Sequence, residues 1–250
     1  GAYATTDAVV ADLYDTDNDG ALDSDPFASG TRGDLVRDIA QGVGAVIAAQ
    51  DGNTFGRTGV YLEGRREEVR TEETNFGNLS ADANLFVARQ ADATVQVSIK
   101  NGGGIRDSIG SFSNTGGTAV ELPPVANPDA GKEAGEMSQL DIANSLRFNN
   151  SLSLITVTSA QLLQVLEHAV SQTAPGATPG RFAQIGGISY SFDATRLPGD
   201  RVISVALTDA NGSPTQVIVR DGEVVADAPA AIRVVTLSFL LTGGDSYPFQ

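Results

Sequence analysis

The sequence is organised around Asn101-Gly102-Gly103-Gly104-Ile105-Arg106. This stretch follows a β-branched run, Val95–Ile99, which predicts a short strand. Three successive glycines after a strand leave backbone N–H groups uncovered and let a ligand approach closely. Asn101 and Arg106 add an amide and a permanent cation at the two ends. The stretch therefore predicts either a loop for a small anionic or polyhydroxylated ligand, or only a flexible turn at the end of a strand.

The composition is that of a soluble globular chain with a strong acidic surplus. Its 250 residues carry a formal net charge of −15, and this length allows one large domain or two small ones. The surplus argues against non-specific binding to a nucleic-acid backbone, because no excess of cations is available to displace counterions. The absence of cysteine excludes disulfides, thiolate metal sites and cysteine nucleophiles. The sequence contains no run of about 18 apolar residues, so no membrane-spanning helix is predicted.

The acidic stretch 15–25 has the spacing of a calcium loop. Aspartates stand at loop positions 1, 3, 5 and 9, with glycine at position 6, but Pro26 replaces the glutamate of position 12. The spacing resembles the calcium repeats of extracellular bacterial and thrombospondin-type modules more than an EF-hand. It predicts bound Ca²⁺, or alternatively only a solvated acidic turn. The candidate ligands are Asp15, Asp17, Asp19, Asp23 and Asp25.

The first half of the chain predicts two long helices. Residues 4–13 predict a short helix or strand, and residues 31–50 predict a helix whose apolar stripe is Leu35, Ile39, Val43 and Ile47. Alternation over 58–63 predicts a strand. A second helix, capped by Asn75 or Asn78, is predicted to run to about Gln90. Its expected buried stripe is Leu79, Ala83, Phe86 and Val87.

The second half predicts a long loop and then mostly strands. Residues 110–136, rich in Gly, Pro, Ser and Thr, predict a loop or insertion. Ser138 is expected to cap a helix, and Thr158-Ser159-Ala160-Gln161 fits a capping box for the helix that carries His168. A lone histidine cannot form a metal centre, so we predict a structural role for it.

Strand predictions follow from alternating or apolar runs. These runs are 151–157, 185–192, 202–207, 217–219 with 224–225, and 231–241. Asp221-Gly222 predicts a hairpin turn. The run 231–241 predicts one strand buried on both faces, followed by a glycine-rich loop with an exposed aromatic residue, Tyr247.

Three blocks together, 73–83, 101–106 and 242–247, resemble the C-terminal substrate-binding domain of the 5′-nucleotidase family. Residues 147–150 and 182–188 fit between them in the same order. The family includes periplasmic UDP-sugar hydrolases and 2′,3′-cyclic-nucleotide phosphodiesterases. The resemblance implies an α+β fold of mixed β-sheets with helices packed on their outer faces. It also implies two parts: residues 1–54, with the acidic loop and a connector helix, and residues 55–250, the substrate-binding domain.

The resemblance implies half of an enzyme. In this family a divalent metal pair is held by an N-terminal metallophosphatase domain through Asp-x-His, Gly-Asn-His-Asp/Glu and Gly-His-x-His motifs, none of which occurs here. We therefore expect no catalytic residue in this chain. The expected partners are a nucleoside or nucleotide and that metallophosphatase domain of the same protein, with neither duplex nucleic acid nor a membrane span.

The resemblance also assigns substrate contacts. Arg70 and Arg106 would reach phosphate and ribose, and the base would be sandwiched between Phe148 and Tyr247, where the family commonly has phenylalanine. The insertion at 110–136 and the lack of an acidic residue downstream of Tyr247 depart from the family. The full set of expected contacts is Arg70, Asn101, Gly102, Gly103, Gly104, Arg106, Phe148, Asn150 and Tyr247.

The leading hypothesis is a nucleotide-recognition domain of a periplasmic or secreted bacterial metallophosphoesterase. An alternative is a calcium-dependent extracellular binding or scaffold module that retains the fold without hydrolysing nucleotides. A third interpretation, suggested by the acidic loop and the strand-rich second half, is a polysaccharide- or surface-adhesion domain.

Overall fold

A computed structural model describes residues 14–17 and 19–249 of the chain, so the element predicted within residues 4–13 lies outside the described residues. The helices are α1 (Arg32–Gly52), α2 (Arg66–Val69), α3 (Asn75–Ala91), α4 (Gln139–Ser145), α5 (Ser159–Val170) and α6 (Ser238–Leu241). The strands are β1 (Thr54–Arg57), β2 (Val97–Asn101), β3 (Ser111–Thr115), β4 (Thr118–Leu122), β5 (Glu136–Ser138), β6 (Leu152–Val157), β7 (Ala183–Gly186), β8 (Ile188–Phe192), β9 (Val202–Thr208), β10 (Pro214–Arg220), β11 (Glu223–Val224) and β12 (Ile232–Leu237).

Two four-stranded sheets form the body of the protein. The first has the order β6-β12-β2-β7, in which β12 and β2 are parallel and the other pairs antiparallel. The second is antiparallel, with the order β11-β10-β9-β8. The chain passes from the first sheet to the second at Gly187, whose φ of +74° suits glycine.

The main apolar core joins the two sheets through α5. Leu162, Val165 and Leu166 on this helix pack with Val97 and Ile99 of β2 and with residues of β9 and β10. Helix α3 covers the other face of the first sheet, where Leu85 and Ala88 meet Val95 and Val235. The predicted α+β class, with helices packed on mixed sheets, is confirmed.

The predicted buried stripe of α3 is wrong. Leu79, Ala83, Phe86 and Val87 are exposed, and the buried positions are Phe76, Gly77, Ser80, Ala81, Leu85 and Ala88. The helix packs so closely on β7 that a Cβ at Gly186 would lie 2.7 Å from Asp82 Oδ1. Small residues therefore face the sheet, while large ones remain outside. The helix begins after Thr74, whose hydroxyl accepts from the Gly77 N–H at 3.0 Å, and not after Asn75 or Asn78.

Two strand predictions also need correction. The strand expected at 58–63 lies at 54–57. Residues 58–63 make only an isolated bridge, from Leu62 to Ile109, because Thr58 closes a local turn by accepting from Val60 N–H. The apolar run 231–241 is a strand only as far as Leu237, where the Ser238 N–H bonds to Ser151 O at 2.9 Å and α6 begins.

The predicted loop at 110–136 contains a β-hairpin, so that prediction was wrong in part. β3 and β4 pair across a turn at Gly116 and Gly117, both with positive φ, as a tight hairpin turn requires. Arg65 fixes the hairpin to the body, since its guanidinium lies 4.2 Å from the Phe112 ring centroid and 2.9 Å from Glu121 Oε1.

Helix α1 confirms the predicted helix, but its apolar stripe is exposed to solvent in the described structure. Leu35, Ile39, Val43 and Ile47 are all more than two-fifths exposed, and Asp51 is the buried residue of the helix. No helix in the described ranges is long and apolar enough to cross a membrane.

A buried polar network anchors the end of α1. Asp51 accepts hydrogen bonds from Lys132 Nζ at 2.8 Å, Ser138 Oγ at 2.7 Å and Asn127 Nδ2 at 2.8 Å, and Lys132 also reaches Asp141 at 2.7 Å. Burial alone would raise the pKa of Asp51, but these hydrogen bonds outweigh it and lower the pKa. The network thus binds α1 to the segment before α4.

Asp51→Asn is expected to cost about 1–2 kcal/mol of unfolding free energy at pH 7, because the charge-assisted bond to Lys132 is lost. Since the folded pKa of Asp51 is depressed, its contribution is complete above the unfolded value of about 3.9 and is lost as pH falls through the folded pKa. Urea unfolding at pH 7 and at pH 3 measures this. A deficit of the same size at both pH values would contradict it.

Candidate functional site

The glycine turn is built by close approach of three chain segments. Gly102 N–H donates to Phe182 O at 2.7 Å and Gly103 N–H to Gly180 O at 2.8 Å. A Cβ on Gly102 would lie 2.1 Å from Val69 O, and one on Gly103 would lie 2.8 Å from Gly180 O. The expectation of uncovered N–H groups is therefore wrong for these two residues. The glycines are required first for packing of backbone against backbone.

Asn101 ends β2 and holds the neighbouring turn in place. It is 5% exposed, and its Nδ2 donates to Asp245 Oδ2 at 2.6 Å. Its Oδ1 is buried without a hydrogen-bond partner among the described residues. An amide oxygen left in this state is free to accept a hydrogen bond from a ligand, since an unmade buried bond is costly.

Arg70 follows α2 and lies below the same turn. It is 8% exposed, and its buried Nε has no hydrogen-bond partner in the described part of the chain. Burial lowers the pKa of its guanidinium, the charges of Arg66 and Arg106 lower it further, and Asp245 and Glu67 oppose them. Three arginines and two carboxylates thus share this region, which gives a local surplus of one positive charge in a chain of net charge −15.

Arg106 and Phe148 form the exposed side of the cluster. The Arg106 backbone N–H donates to Ser145 O at 2.8 Å, which ties the turn to the end of α4. Its guanidinium lies 5.6 Å from the centroid of the Phe148 ring, and that ring is 52% exposed. Asn150 follows in the same loop, with its backbone N–H bonded to Phe148 O at 3.0 Å. A cation beside an open aromatic face suits a flat anionic ligand.

Two site residues were missed from the sequence. Arg66 joins the cation cluster, and its Nε donates to Thr178 Oγ1 at 2.9 Å. Asp245 links the glycine turn to α5: its carboxylate accepts from Asn101, and its carbonyl oxygen lies 2.8 Å from His168 Nε2. Because a carbonyl can only accept, Nε2 carries the proton. Burial lowers the pKa of His168, against the effect of this bond. The Gly243-Gly244-Asp245 turn was the available signal for Asp245.

Tyr247 does not present the exposed aromatic ring that the sequence predicted. It is 3% exposed, its hydroxyl donates to Arg181 O at 2.6 Å, and its ring stacks on Phe249 with centroids 5.6 Å apart. Asp245 and Ser246 before it both have positive φ, so the turn directs this side chain inward. Of the two predicted stacking rings, Phe148 is the exposed one.

The acidic loop lies apart in sequence, at the start of the described residues. Carboxylate oxygens of Asp15, Asp17 and Asp19 come within 4.8 Å of one another. Asp23 instead accepts from the backbone and hydroxyl of Thr16, which lowers its pKa, and Asp25 accepts from Phe27 N–H at 2.8 Å. The structure therefore groups three of the five predicted ligands.

Among the described residues, no other group of three or more His, Cys, Asp or Glu side chains comes to metal-ligand distance. His168 is the single histidine of the chain. One histidine does not fit the histidine-rich pair of metal sites that the resemblance assigns to a separate domain.

The chain is similar to several known proteins. A family model described as the C-terminal domain of 5′-nucleotidase matches residues 46–250. The trifunctional nucleotide phosphoesterase protein YfkN of Bacillus subtilis is 33% identical over 192 residues, which is 77% of this chain and 11% of that protein. Snake venom 5′-nucleotidase of Macrovipera lebetinus is 30% identical over 199 residues, 77% of this chain and 42% of that protein.

A solved structure is similar as well. The 5′-nucleotidase precursor from Thermus thermophilus superposes with a TM-score of 0.63 at 28% identity, covering 84% of this chain and 34% of that one. The chain thus spans between 11% and 42% of the length of these relatives.

Proposed function

The chain belongs to the 5′-nucleotidase family, whose C-terminal domain it matches, and on this premise we propose that it is the nucleotide-recognition part of a metallophosphoesterase. The observation that carries the proposal is the arrangement of Arg70 and Arg106 around the glycine turn, beside the open ring of Phe148. A phosphate would supply the anion that the cations lack, and a base would stack on the ring.

Apart from Gly102 and Gly103, whose N–H groups are already bonded, the remaining expected contacts take roles in the same proposal. Asn101 would offer its unpartnered Oδ1 to a hydroxyl or amino group of the nucleoside, and Asn150 would add a polar contact beside Phe148. Gly104 would let the nucleoside lie close to Asn101, whose Oδ1 is 3.1 Å from the place of a Cβ. Tyr247 would form the second wall only if its hydroxyl leaves Arg181 O.

Hydrolysis would take place on a divalent metal pair held by an N-terminal metallophosphatase domain of the same protein. The metal pair would supply Lewis-acid activation of the phosphate and of water. The residues of this chain would bind and orient the nucleotide. We place the parent protein in the periplasm or outside the cell, a proposal supported by the snake venom relative.

Calorimetric titration of the 250-residue chain tests recognition. AMP, adenosine and a UDP-sugar are expected to bind weakly, and Arg106→Ala is expected to weaken AMP binding about tenfold, because one charge-assisted contact is lost. Arg220→Ala, an exposed arginine on β10, is the matched control and is expected to bind as the parent does. Absence of binding by all three ligands would overturn the proposal. Metal-dependent phosphatase activity of the purified chain would contradict the assignment of hydrolysis to a separate domain.

A second candidate function is a calcium-dependent extracellular binding or scaffold module. The grouping of Asp15, Asp17 and Asp19 supports it, because alternate carboxylates suit a hard cation. In this alternative Ca²⁺ binds and stabilises the chain, whereas nucleotides do neither.

Calcium titration, together with the nucleotide titrations, separates the two candidates. We expect a dissociation constant of about 0.1–1 mM, as in extracellular modules. Asp17→Asn should remove the binding, whereas Asp38→Asn, on the exposed part of α1, should leave it unchanged. Calcium binding that Asp17→Asn does not alter would show that this loop is not the site.

A further inference from the structure

A groove of about 720 Å³ lies between α3, the outer edge of β7 and the turn after β9. Its volume is that of a ligand site. None of the residues assigned above to nucleotide contact lines it. The aromatic residues that line it are Phe86, Phe182, Tyr190 and Phe192.

The edge of β7 leaves backbone groups unpaired in this groove. β7 is the last strand of its sheet and pairs only with β2 in the described part of the chain. Gly102 and Phe182 lie opposite each other, and Gly102 N–H donates to Phe182 O. Because hydrogen-bonded pairs alternate with non-bonded pairs along an antiparallel ladder, Lys100 and Gln184 form the next hydrogen-bonded pair. Ala183 and Ile185 therefore direct their N–H and C=O groups away from β2.

Gly187 is the next residue whose backbone groups point outward from this edge, and it has a partner. Its carbonyl oxygen accepts a hydrogen bond from Thr208 N–H at 3.0 Å. No backbone hydrogen bond outside the β2 ladder uses Ala183 or Ile185 among the described residues. Ala183 is only 3% exposed, so the accessible part of this edge is Ile185, which is half-buried. An unpaired strand edge can pair with an additional strand.

The charges around the groove favour a cationic occupant. Four carboxylates line it, from Glu72, Glu73, Asp82 and Asp209, against one cation, Arg89, whose Nε is already bonded to Val95 O at 2.8 Å. Asp82 accepts no hydrogen bond in the described part of the structure and lies directly over the backbone of Gly186. Desolvation by the surrounding protein raises the pKa of its carboxyl, whereas the charge of Arg89 lowers it. A cation beside Asp82 would stabilise the charged carboxylate.

Apolar and hydroxyl groups complete the surface. Phe86 on α3 is 67% exposed at one wall. On the opposite side the rings of Tyr190 and Phe192 stack with centroids 5.9 Å apart, and the Tyr190 hydroxyl is buried with no partner among the described residues. Side chains that alternate above and below an added strand would meet these two surfaces.

We propose that this groove binds an extended peptide segment carrying a lysine or arginine, which pairs with the outer edge of β7 as an additional strand. Main-chain hydrogen bonds to Ile185 give affinity, and the carboxylates select a basic side chain. The partner is thus a basic, extended stretch of protein. The inference is independent of nucleotide binding.

The test uses the 250-residue chain and a blocked peptide, acetyl-Thr-Lys-Val-Lys-Thr-amide, in calorimetric titrations. Two further peptides carry a single N-methyl group, one on the valine and one on the following lysine. Because only alternate N–H groups of an added strand face β7, one methylated peptide is expected to bind at least about tenfold more weakly and the other as the parent does. Equal binding by both would overturn strand pairing.

Protein variants test the same contacts from the other side. Ile185→Pro removes an N–H that points away from β2, so no bond to β2 is lost. An edge strand tolerates proline at such a position. The variant should bind the peptide about tenfold more weakly. Asp82→Asn leaves the backbone intact and should weaken peptide binding about fivefold. This variant tests the proposal if the proline variant fails to fold. Asp107→Asn, outside the groove, is the control and should change nothing.

Several outcomes would overturn the proposal. These are no binding at about 1 mM peptide, equal binding of a peptide with glutamate in place of lysine, or binding of lysine amide as tight as that of the peptide. Displacement by AMP would place the peptide in the nucleotide site and would also overturn it. Peptide binding in a chain that fails to bind AMP would support this inference while the proposed function fails.

Discussion

Arg70→Met is expected to make the chain more stable while removing most of its affinity for nucleotides. Arg70 is buried, its Nε lacks a hydrogen-bond partner among the described residues, and Arg66 and Arg106 add like charge. A buried charge without a full set of partners costs free energy that an apolar side chain of similar length does not. We therefore expect a gain of about 1–2 kcal/mol in unfolding free energy.

The same change should weaken AMP binding by about 30-fold, because a phosphate would lose a charge-assisted partner worth about 2 kcal/mol. Urea unfolding and calorimetry on one preparation measure both effects. Arg70→Lys should retain part of the affinity, since the charge remains but the planar fork is lost. Arg220→Met is the exposed control. A variant that is less stable and still binds AMP would show that Arg70 is a structural residue.

The sequence predicted best what depends on neighbours along the chain. The predicted cap at Ser138 and the predicted capping box at Thr158 with Gln161 are both present, because each is complete within four residues. The Asp221-Gly222 hairpin turn is also confirmed, with positive φ at both residues. These motifs satisfy their hydrogen bonds locally, so tertiary packing has little reason to change them.

Burial was predicted less well, because it depends on which surface a helix meets. The stripe of α3 follows the close approach of Gly186 and not the positions of its largest apolar residues. Tyr247 is likewise buried by a turn with two successive positive-φ residues, Asp245 and Ser246, neither of which is glycine. Residue type alone carries no signal for either arrangement.

The candidate site shows the same division. Arg70, Arg106 and Phe148 were predicted through the family resemblance, and cations and aromatic residues beside glycine-rich turns are consistent with ligand contact. Asp245 and Arg66 were missed because their roles exist only in contacts across the fold: Asp245 bonds to Asn101, 144 residues away, and Arg66 to Thr178, 112 residues away.

The two functions of the glycine turn can be separated by substituting its members one at a time. Gly102→Ala is expected to cost about 3 kcal/mol or more of unfolding free energy, because its Cβ would lie 2.1 Å from Val69 O, a backbone atom that cannot move alone. Gly104→Ala meets only the side-chain oxygen of Asn101, at 3.1 Å, so it should cost less than about 1 kcal/mol yet weaken AMP binding by crowding that amide. Gly59→Ala, with nothing within 4 Å of its Cβ, is the matched control for both urea unfolding and calorimetry. If Gly102→Ala proved as stable as this control, the turn would not be held by backbone packing, and its three glycines would be explained by ligand approach alone.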